Sequence, residues 1–437
     1  MLLVNPWIYD FSAYDFWLKP IGLLALASAL KQAGFEIHWI DFTDPFLISD
    51  PTLLKKLKRR TDGRGKFFAE ELEKPEPIKN IPRRYKRYGI EPEKLKELLK
   101  TYPAPDAIMV ATTMTYWYLG YKATIDFLKS IFKNSPIIAG GLYVTLLPEH
   151  ARAHLNADYF CVGDYEQNLP AILKEIFQIE VELKAPEKVP LALEHYSHLE
   201  YGVILTGRGC PYRCKYCVSW KLHSKLKRKS PQQVIDEIIW QAKKLGVKNI
   251  AFYDDALLID AERHIMPILE GIIKAGLDLK FHTPNGLHLQ PMNKELAVLM
   301  KKAGFETIRF GLETTNPARQ RALGAKASLD DLARALDHLE KAGYERKDIG
   351  IYLLVGLPAQ TPEEIEKDIK AVKKLGARPY LSEYSPIPKS ELWEESVKYA
   401  RYPIDKEPLF QNCSLLACAH PELTAQKLTE LKNLARA

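Results

Sequence analysis

Three of the chain's six cysteines, Cys210, Cys214 and Cys217, lie within eight positions of one another in the run GRGCPYRCKYC. A structural zinc site needs four protein ligands, and here the fourth would have to be an isolated residue such as His223. Thiolates also hold four-iron clusters, one thiolate to each iron. Three thiolates leave one iron without a protein ligand, and an open metal position is typical of catalysis. The spacing therefore favours a catalytic cluster.

The elements around these cysteines are predicted to form an open α/β barrel. The cysteines directly follow the first of six predicted strands, which are 202–205, 249–253, 279–282, 307–311, 349–355 and 380–384. Predicted helices alternate with them at 231–245, 261–275, 294–303, 329–342 and 362–375. Strands joined by helical crossovers predict a parallel, partial (β/α)6 barrel of the TIM type. Ligands bind at the carboxyl ends of such strands, where the cysteines lie.

The amino-terminal part is predicted to be a separate Rossmann-like domain with a parallel sheet. Its predicted strands are 2–4, 37–40, 107–111, 137–139 and 159–162, and its predicted helices are 21–33, 118–132 and 167–177. The predicted domains are 1–180, a linker at 181–200, the barrel at 201–390 and a helical extension at 391–437.

Composition is ordinary for a globular protein, at 46% hydrophobic and 27% charged among 437 residues. No apolar run is long enough to span a membrane, and charged residues begin too early for a signal peptide. We therefore expect a soluble cytoplasmic protein. In a reducing compartment, clustered cysteines indicate metal or redox chemistry rather than disulfides.

Residues 43–103 form a basic insertion with 16 Lys/Arg against 10 Asp/Glu. It includes KKLKRR (55–60), RRYKR (83–87) and the proline-rich stretch 73–84, which cannot continue a helix. The favoured interpretation is a solvated helical excursion on the surface. The alternative is a docking surface for an acidic polypeptide or a phosphorylated substrate.

The cysteine run resembles a family signature. Because Tyr216 precedes the last cysteine, the run reads C-x3-C-x-aromatic-C, which is similar to the motif of the radical S-adenosylmethionine (SAM) enzymes. The resemblance implies a [4Fe-4S] cluster on Cys210, Cys214 and Cys217, with SAM chelating the open iron. It also implies an external electron donor, since an electron from the reduced cluster splits SAM to a 5′-deoxyadenosyl radical. Tyr216 would lie against the planar base of SAM.

Downstream segments resemble the same family in order. FYDDALL is similar to the segment near the SAM amino group, which implies roles for Asp254 and Asp255, although both could instead cap the following helix. RFGLETTN resembles the motif whose glutamate meets the SAM ribose, which implies Glu313. LGAK resembles a position where a basic residue faces the SAM carboxylate, which implies Lys326. LLVGLPAQTPEE and EYSPIPKSELW resemble the last two strand-end segments, but the second has Pro-Lys-Ser in place of Pro-Gly-Thr.

The amino-terminal part resembles the cobalamin-binding domain that precedes many radical SAM barrels. The resemblance rests on LLVNP, PIGLLALASALKQAGFEIHWID, VATTMT, IIAGGLYVTLLPE and VGDYEQ, in that order. Glycines after strands let the backbone approach a flat or phosphate-bearing ligand, and threonine hydroxyls could bind its tail. The implied cobalamin-binding residues are Asn5, Pro6, Thr112, Thr113, Gly140, Gly141, Thr145, Gly163 and Glu166.

The D-x-H-x-x-G motif that supplies a histidine to cobalt in other cobalamin proteins is absent from the sequence. His150 is interpreted as a helix-start residue, so the lower cobalt face would meet Trp117, Tyr118 or water. The alternative is a fold that has lost its corrinoid. Cys161 is predicted to be buried at a strand end, and Cys413 and Cys418 to lie on a packed helix face, with a redox or ligand role as the alternative.

Together the resemblances imply a cobalamin-dependent radical SAM methyltransferase that acts anaerobically on an unactivated carbon. Cob(I)alamin would take a methyl group from one SAM, and a second SAM would give the radical that removes hydrogen from the substrate. A protein or peptide is one candidate substrate. The alternatives are a redox, cyclisation or rearrangement reaction without methyl transfer and, more remotely, a zinc-stabilised module that binds nucleic acid. Nucleic acid is not the expected partner, since no RNA-binding domain is recognisable.

Overall fold

The computed structural model describes residues 1–48, 54–55, 57–223 and 225–437. Residues 49–53 and Lys56, which belong to the predicted basic insertion, lie outside the described residues. The chain divides into two compact units, one of Met1–Leu199 with Glu407–Phe410 and one of Glu200–Lys406 with Gln411–Ala437. Among the described residues, no helix is both long and apolar enough to cross a membrane.

Among its described residues, the first unit contains eight strands and six α-helices. The strands are β1 (Leu2–Asn5), β2 (Ile8–Asp10), β3 (His38–Asp41), β4 (Ala69–Leu72), β5 (Tyr85–Tyr88), β6 (Ile108–Thr112), β7 (Ile137–Gly141) and β8 (Tyr159–Cys161). The helices are α1 (Ile21–Gln32), α2 (Pro92–Leu99), α3 (Tyr118–Ile131), α4 (Leu142–Leu146), α5 (Pro148–His154) and α6 (Tyr165–Phe177).

Five of these strands form a parallel sheet in the order β3-β1-β6-β7-β8. Its strands read as short apolar runs because both faces are covered, and Leu2, Leu3 and Val4 of β1 are fully buried. The order reverses between β1 and β6, and in doubly wound sheets ligands bind outside the carboxyl ends of the strands at this reversal. The predicted Rossmann-like parallel sheet is confirmed.

The basic insertion differs from its prediction. In the described part of the insertion, β5 pairs with both β2 and β4 in an antiparallel sheet, and α2 is a helix of eight residues. The proline-rich stretch makes a short 3-10 turn at Glu76–Ile78, whose Ile78 is 0% exposed. The prolines follow β4, and the chain turns there before β5, while apolar residues among the charges, such as Ile78, supply a small core.

The second unit contains nine strands and nine α-helices among its described residues. The strands are β9 (Gly202–Ile204), β10 (Gly207–Arg208), β11 (Lys227–Arg228), β12 (Asn249–Phe252), β13 (Lys280–His282), β14 (Phe305–Thr307), β15 (Arg309–Glu313), β16 (Gly350–Val355) and β17 (Arg378–Glu383). The helices are α7 (Ser219–Leu222), α8 (Pro231–Lys244), α9 (Ile265–Lys274), α10 (Lys294–Ala303), α11 (Pro317–Leu323), α12 (Leu329–Lys341), α13 (Pro362–Lys374), α14 (Trp393–Tyr399) and α15 (Ala425–Arg436).

Its strands form two parallel sheets that continue one another. The first has the order β14-β13-β12-β9 and the second β15-β16-β17, with a parallel bridge from Leu287 to Phe310 between the loop after β13 and β15. The predicted single strand 307–311 is therefore two strands, which pair with different neighbours on either side of Ile308. No closed barrel forms in the described part of the unit, and the α/β prediction with an open barrel is confirmed.

Helix starts follow the local sequence closely. Ser230 and Ser328 begin α8 and α12 with complete capping boxes, and Asn293 and Thr361 cap α10 and α13 through their side-chain oxygens. Caps of this kind satisfy backbone N–H groups that would otherwise lack partners, so these boundaries are fixed by a few residues.

The tail contains the two predicted helices α14 and α15, but the predicted helix face with two cysteines is wrong. Cys413 begins a 3-10 turn of three residues, and Cys418 follows it in irregular chain. Cys418 is buried, and its thiol donates to the Ser396 carbonyl at 3.4 Å. The segment 411–419 is a packed loop because it contains no regular apolar repeat to sustain a helix.

Candidate functional site

The three clustered cysteines lie on a loop between β10 and α7, and the surrounding backbone fixes this loop. Gly209 opens it with φ +98°, and a Cβ there would lie 2.6 Å from the Lys225 carbonyl oxygen. On the other side, Lys215 N–H donates to the Leu323 carbonyl at 3.0 Å. The loop is thus held against both the β10–β11 ribbon and the end of α11.

The cysteine side chains are free thiols in three different environments. Cys214 is buried, whereas Cys210 and Cys217 are half-buried. Burial raises the pKa of Cys210 to about 11, so a metal would have to displace its proton on binding. Among the described residues, no group of three His, Cys, Asp or Glu side chains is arranged around a single metal ion. A four-iron cluster would take one thiolate at each of three separate corners.

Tyr216, Glu313 and Lys326 meet beside Cys214. Lys326 Nζ donates to Glu313 Oε1 at 3.0 Å, and both side chains are largely buried. Burial raises the pKa of Tyr216 well above its ordinary range, helped by the charge of Glu313, and its hydroxyl bonds both Glu313 and Cys214. Gly311 makes room for this group, since a Cβ there would lie 2.6 Å from Lys326 Nζ. The predicted SAM residues from three distant segments thus meet.

Glu313 itself adopts φ +70°, a left-handed conformation that is rare for residues other than glycine. Such backbone strain is maintained only where the surrounding structure determines it, and it concentrates at functional sites. Here it turns the carboxylate at the end of β15 toward Lys326 rather than along the strand.

The two predicted aspartates have different surroundings. Asp254 is buried, and its oxygens accept from Thr206 N–H at 3.1 Å and Thr206 Oγ1 at 2.5 Å. His264 Nε2 lies 2.7 Å from the same hydroxyl. Burial raises the pKa of Asp254 to about 6. Asp254 therefore joins the ends of β9 and β12. Asp255, by contrast, is exposed and accepts a hydrogen bond from the Ser219 side chain beside the cysteine loop.

His288 was missed by the sequence prediction. Its Nε2 lies 3.9 Å from Cys210 Sγ, and its ring stacks on Tyr212 with centroids 4.5 Å apart. Burial lowers the pKa of His288 to about 3, helped by the nearby charge of Lys326, so the ring is neutral. Its buried Nδ1 has no partner in the described part of the chain and remains able to bond a ligand. A single histidine in a loop after β13 gives no signal that could have identified it.

In the first unit, hydrogen bonds join the loops that follow β6, β7 and β8. Thr112 Oγ1 donates to the Gly140 carbonyl at 2.8 Å, and Thr145 Oγ1 donates to the Gly141 carbonyl at 2.8 Å. The Gly163 N–H then donates to Thr145 Oγ1 at 2.9 Å. These predicted cobalamin residues therefore lie together at the carboxyl edge of the sheet.

The same edge exposes apolar side chains and glycine backbone. Met114 and Leu142, which follow β6 and β7, are each 44% exposed, and Gly141 and Gly163 beside them are exposed as well. Exposed apolar side chains grouped with bare backbone are suited to a flat, largely apolar ligand. Thr113 stands apart from this surface, since its N–H and hydroxyl both bond Tyr121.

The remaining predicted cobalamin residues are less accessible or lie elsewhere on the edge. Asn5 bonds Asp41 Oδ1 at 2.8 Å at the ends of β1 and β3, next to the buried Pro6. Glu166 is half-buried in the first turn of α6. Asn5 and Pro6 thus lie at the strand-order reversal, and Glu166 lies after β8.

The other candidate residues of this unit pack internally. His150 is in the first half of α5, bonded through Nδ1 to the Tyr143 hydroxyl at 2.7 Å. Burial lowers the pKa of His150 to about 4. Trp117 is buried and donates to Asp10 Oδ2 at 2.6 Å, and Tyr118 is also buried. Cys161 is buried at the end of β8, as predicted.

Comparison with known proteins supports this description. Residues 204–372 match the model of the radical SAM superfamily, and they begin at β9 and include all three cysteines. An uncharacterised methyltransferase of Pyrococcus horikoshii is 26% identical over 67% of this chain and 70% of its own. Cytidylyl-2-hydroxyethylphosphonate methyltransferase of Streptomyces wedmorensis is 25% identical over 87% of this chain and 78% of its own.

The whole fold also matches a solved structure. The radical SAM methyltransferase TsrM from Kitasatospora setae, with tryptophan and a SAM analogue bound, superimposes with a TM-score of 0.65. The match has 17% identity and covers 91% of this chain and 75% of that chain. Another structure of TsrM has cobalamin and a [4Fe-4S] cluster bound. Residues 204–372 thus form a radical SAM domain, and the fold of the chain is similar to that of TsrM.

Proposed function

We propose that this protein is a cobalamin-dependent radical SAM enzyme that methylates an unactivated carbon. The observation that carries the proposal is the meeting of Tyr216, Glu313 and Lys326 beside a loop with three free thiols. A cation, a carboxylate and a phenol at one place match the carboxylate and ribose groups of SAM. The thiol loop beside them would hold the cluster that binds the amino-acid end of SAM.

Each residue of this site has a definite task. Cys210, Cys214 and Cys217 would hold the cluster, and Lys326, already aligned by Glu313, would bind the SAM carboxylate. Asp255 rather than Asp254 would meet the amino group, since both oxygens of Asp254 accept hydrogen bonds from Thr206. When bound, these cofactors supply a 5′-deoxyadenosyl radical, and cobalamin carries the methyl group that replaces the abstracted hydrogen.

The carboxyl edge of the first unit's sheet would hold cobalamin. Gly141 and Gly163 allow the ring to approach the backbone, Met114 and Leu142 would contact its apolar face, and Thr145 fixes the loops. Trp117 and His150 are engaged within the protein. Neither side chain would therefore be offered to the cofactor, and a protein or peptide is our proposed substrate class.

The test is anaerobic purification followed by analysis of iron, sulfide and corrinoid. We expect about four irons per chain in the wild type, loss of most iron in Cys214→Ala, and full iron in the matched variant Cys413→Ala. With candidate substrates, methylation yields 5′-deoxyadenosine and S-adenosylhomocysteine and a product heavier by one methylene unit. Deoxyadenosine alone, with an unchanged product mass, would support a redox or rearrangement reaction instead.

A further inference from the structure

A buried arginine, Arg309, lies on the face of β15 that carries the proposed SAM site. Arg309 is the first residue of this strand, and it is only 8% exposed. Because side chains alternate along a strand, Arg309 faces the same side as Gly311, about 6.6 Å farther along. A Cβ at Gly311 would lie 2.6 Å from Lys326 Nζ and 2.7 Å from Glu313 Oε1. Arg309 is therefore the next side chain below these two residues on the same face.

The neighbouring strands hold the guanidinium of Arg309 through packing. Its central carbon lies 3.8 Å from the centroid of the Tyr380 ring on β17. Gly350 pairs with Arg309 on β16, and a Cβ there would overlap Arg309 Nη1. Tyr352 and Tyr380 pair across β16 and β17 with their ring centroids 6.3 Å apart, and both are half-buried. A glycine and an aromatic ring thus set the position of the cation.

The described part of the chain supplies no anion to this cation. The Arg309 guanidinium makes no hydrogen bond or ion pair there, and its Nε is buried without a partner. Glu313 on the same strand is paired with Lys326, and Glu383 at the end of β17 is paired with Lys432. Burial of a charged group is costly unless the group is paired, and unpartnered buried polar atoms are rare. The partner of Arg309 is therefore expected to come from outside the chain.

We propose that Arg309 binds an oxyanion, a carboxylate or a phosphate, of the substrate. This inference rests on the proposed function and narrows its substrate class, because the peptide or other molecule that is methylated must then carry such a group. A guanidinium presents its N–H donors in a planar fork that matches two oxygens of a carboxylate or phosphate. Stacking on Tyr380 fixes the plane of this fork, so the anion is oriented as well as bound.

The experiment measures the binding of small anions to the protein as purified anaerobically. The probes are benzoate, phenyl phosphate and, as their neutral counterpart, benzamide, each followed by isothermal titration calorimetry. Arg309→Gln removes the cation. Arg378→Gln is the matched control, since Arg378 is exposed and its guanidinium lies 5.4 Å from the same Tyr380 ring.

We expect the wild type to bind at least one of the two anions with a dissociation constant below about 10 mM, and benzamide at least about tenfold more weakly. The anion that binds more tightly identifies the group as a carboxylate or a phosphate. Arg309→Gln should bind that anion at least about tenfold more weakly, and Arg378→Gln less than about twofold more weakly. Failure of both anions to bind the wild type, or equal losses in the two variants, would overturn the proposal.

Thermal unfolding distinguishes anion binding from a purely structural role. Because the buried cation has no partner in the described residues, Arg309→Gln should melt no lower than the wild type. The anion should raise the melting temperature of the wild type but not that of Arg309→Gln. Arg309→Lys keeps the charge without the planar fork, so its affinity for the anion should be intermediate. A lower melting temperature of Arg309→Gln, with no effect of the anion on the wild type, would show that Arg309 only packs on Tyr380.

Turnover connects the anion to the reaction. For a substrate that the methylation assay identifies, removal of the acidic group's charge should lower the kcat/KM of the wild type at least about tenfold but that of Arg309→Gln less than about twofold. Equal penalties in the two proteins would contradict the role of Arg309. Absence of iron or of methylation would refute the proposed function instead, and the anion-binding measurements would remain valid.

Discussion

Replacement of Gly141 by alanine should damage the proposed cobalamin site in a calculable way. Gly141 has φ +106° and ψ −165°, a backbone region that is essentially restricted to glycine. An alanine Cβ would lie 2.2 Å from the Thr112 carbonyl oxygen and 3.0 Å from its nitrogen. Thr112 cannot retreat, because it is paired with β7 inside the parallel sheet.

The cost follows from these contacts. Holding alanine in this conformation costs about 1–3 kcal/mol, and relieving the overlap requires the loop to move. Movement of Gly141 breaks the bond from Thr145 Oγ1 to its carbonyl and disturbs the bond from Gly163, each worth about 1 kcal/mol. We expect a total near 3 kcal/mol, which corresponds to roughly a hundredfold loss of cobalamin affinity if binding needs the native loop.

The assay is a spectrophotometric titration of the apoprotein with hydroxocobalamin, together with thermal unfolding. Gly140→Ala is the matched control for thermal unfolding, since its Cβ would only touch Cys161 Cβ at 3.4 Å. Gly22→Ala, in α1 with nothing within 4 Å, should stabilise by up to about 1 kcal/mol. If Gly141→Ala bound cobalamin and melted like the wild type, our reasoning about this backbone would be refuted.

Three further predictions concern the second unit. Lys326→Met should leave the Glu313 carboxylate buried without its cation, and so lower the free energy of unfolding by about 3 kcal/mol and weaken SAM binding in calorimetry. The exposed control Lys302→Met should change neither quantity. Equal effects of the two substitutions would contradict the assigned pairing of Lys326 with Glu313. Burial raises the pKa of Asp254 from 3.8 to about 6, so the folded chain holds this proton more tightly than the unfolded chain and the contribution to stability falls as pH rises. Relative to Asp254→Asn, the wild type should therefore lose about 2 kcal/mol between pH 4 and pH 7 in denaturant unfolding, and a relative gain would show that the sign is wrong. His288→Phe keeps the stacking on Tyr212 but removes the ring nitrogen near Cys210, so the cluster's reduction potential should become more negative in an EPR-monitored titration. His288→Gln should lie closer to the wild type. An unchanged potential in His288→Phe would show that His288 does not tune the cluster.

Local patterns in the sequence determined most of the elements and the placement of the cysteines. The alternation of apolar runs and helical periodicity predicted the parallel strands of both units, since each pattern is repeated over enough residues to be unambiguous. In the second unit the three cysteines follow β9 and the short β10, and in the first unit Gly141 ends β7 and Gly163 follows β8. Because the carboxyl ends of parallel strands share one edge within a sheet, the sequence could place each set at such an edge without coordinates.

Tertiary structure alone decided how side chains far apart in the sequence pair. Asp254 is tied to Thr206, 48 residues away, and His288 lies beside Cys210, 78 residues away. The sheet of β2, β4 and β5 and the division of one predicted strand into β14 and β15 likewise depend on which neighbours pack against them. Periodicity records only which face of an element is buried, whereas contact between two elements depends on how the whole chain packs.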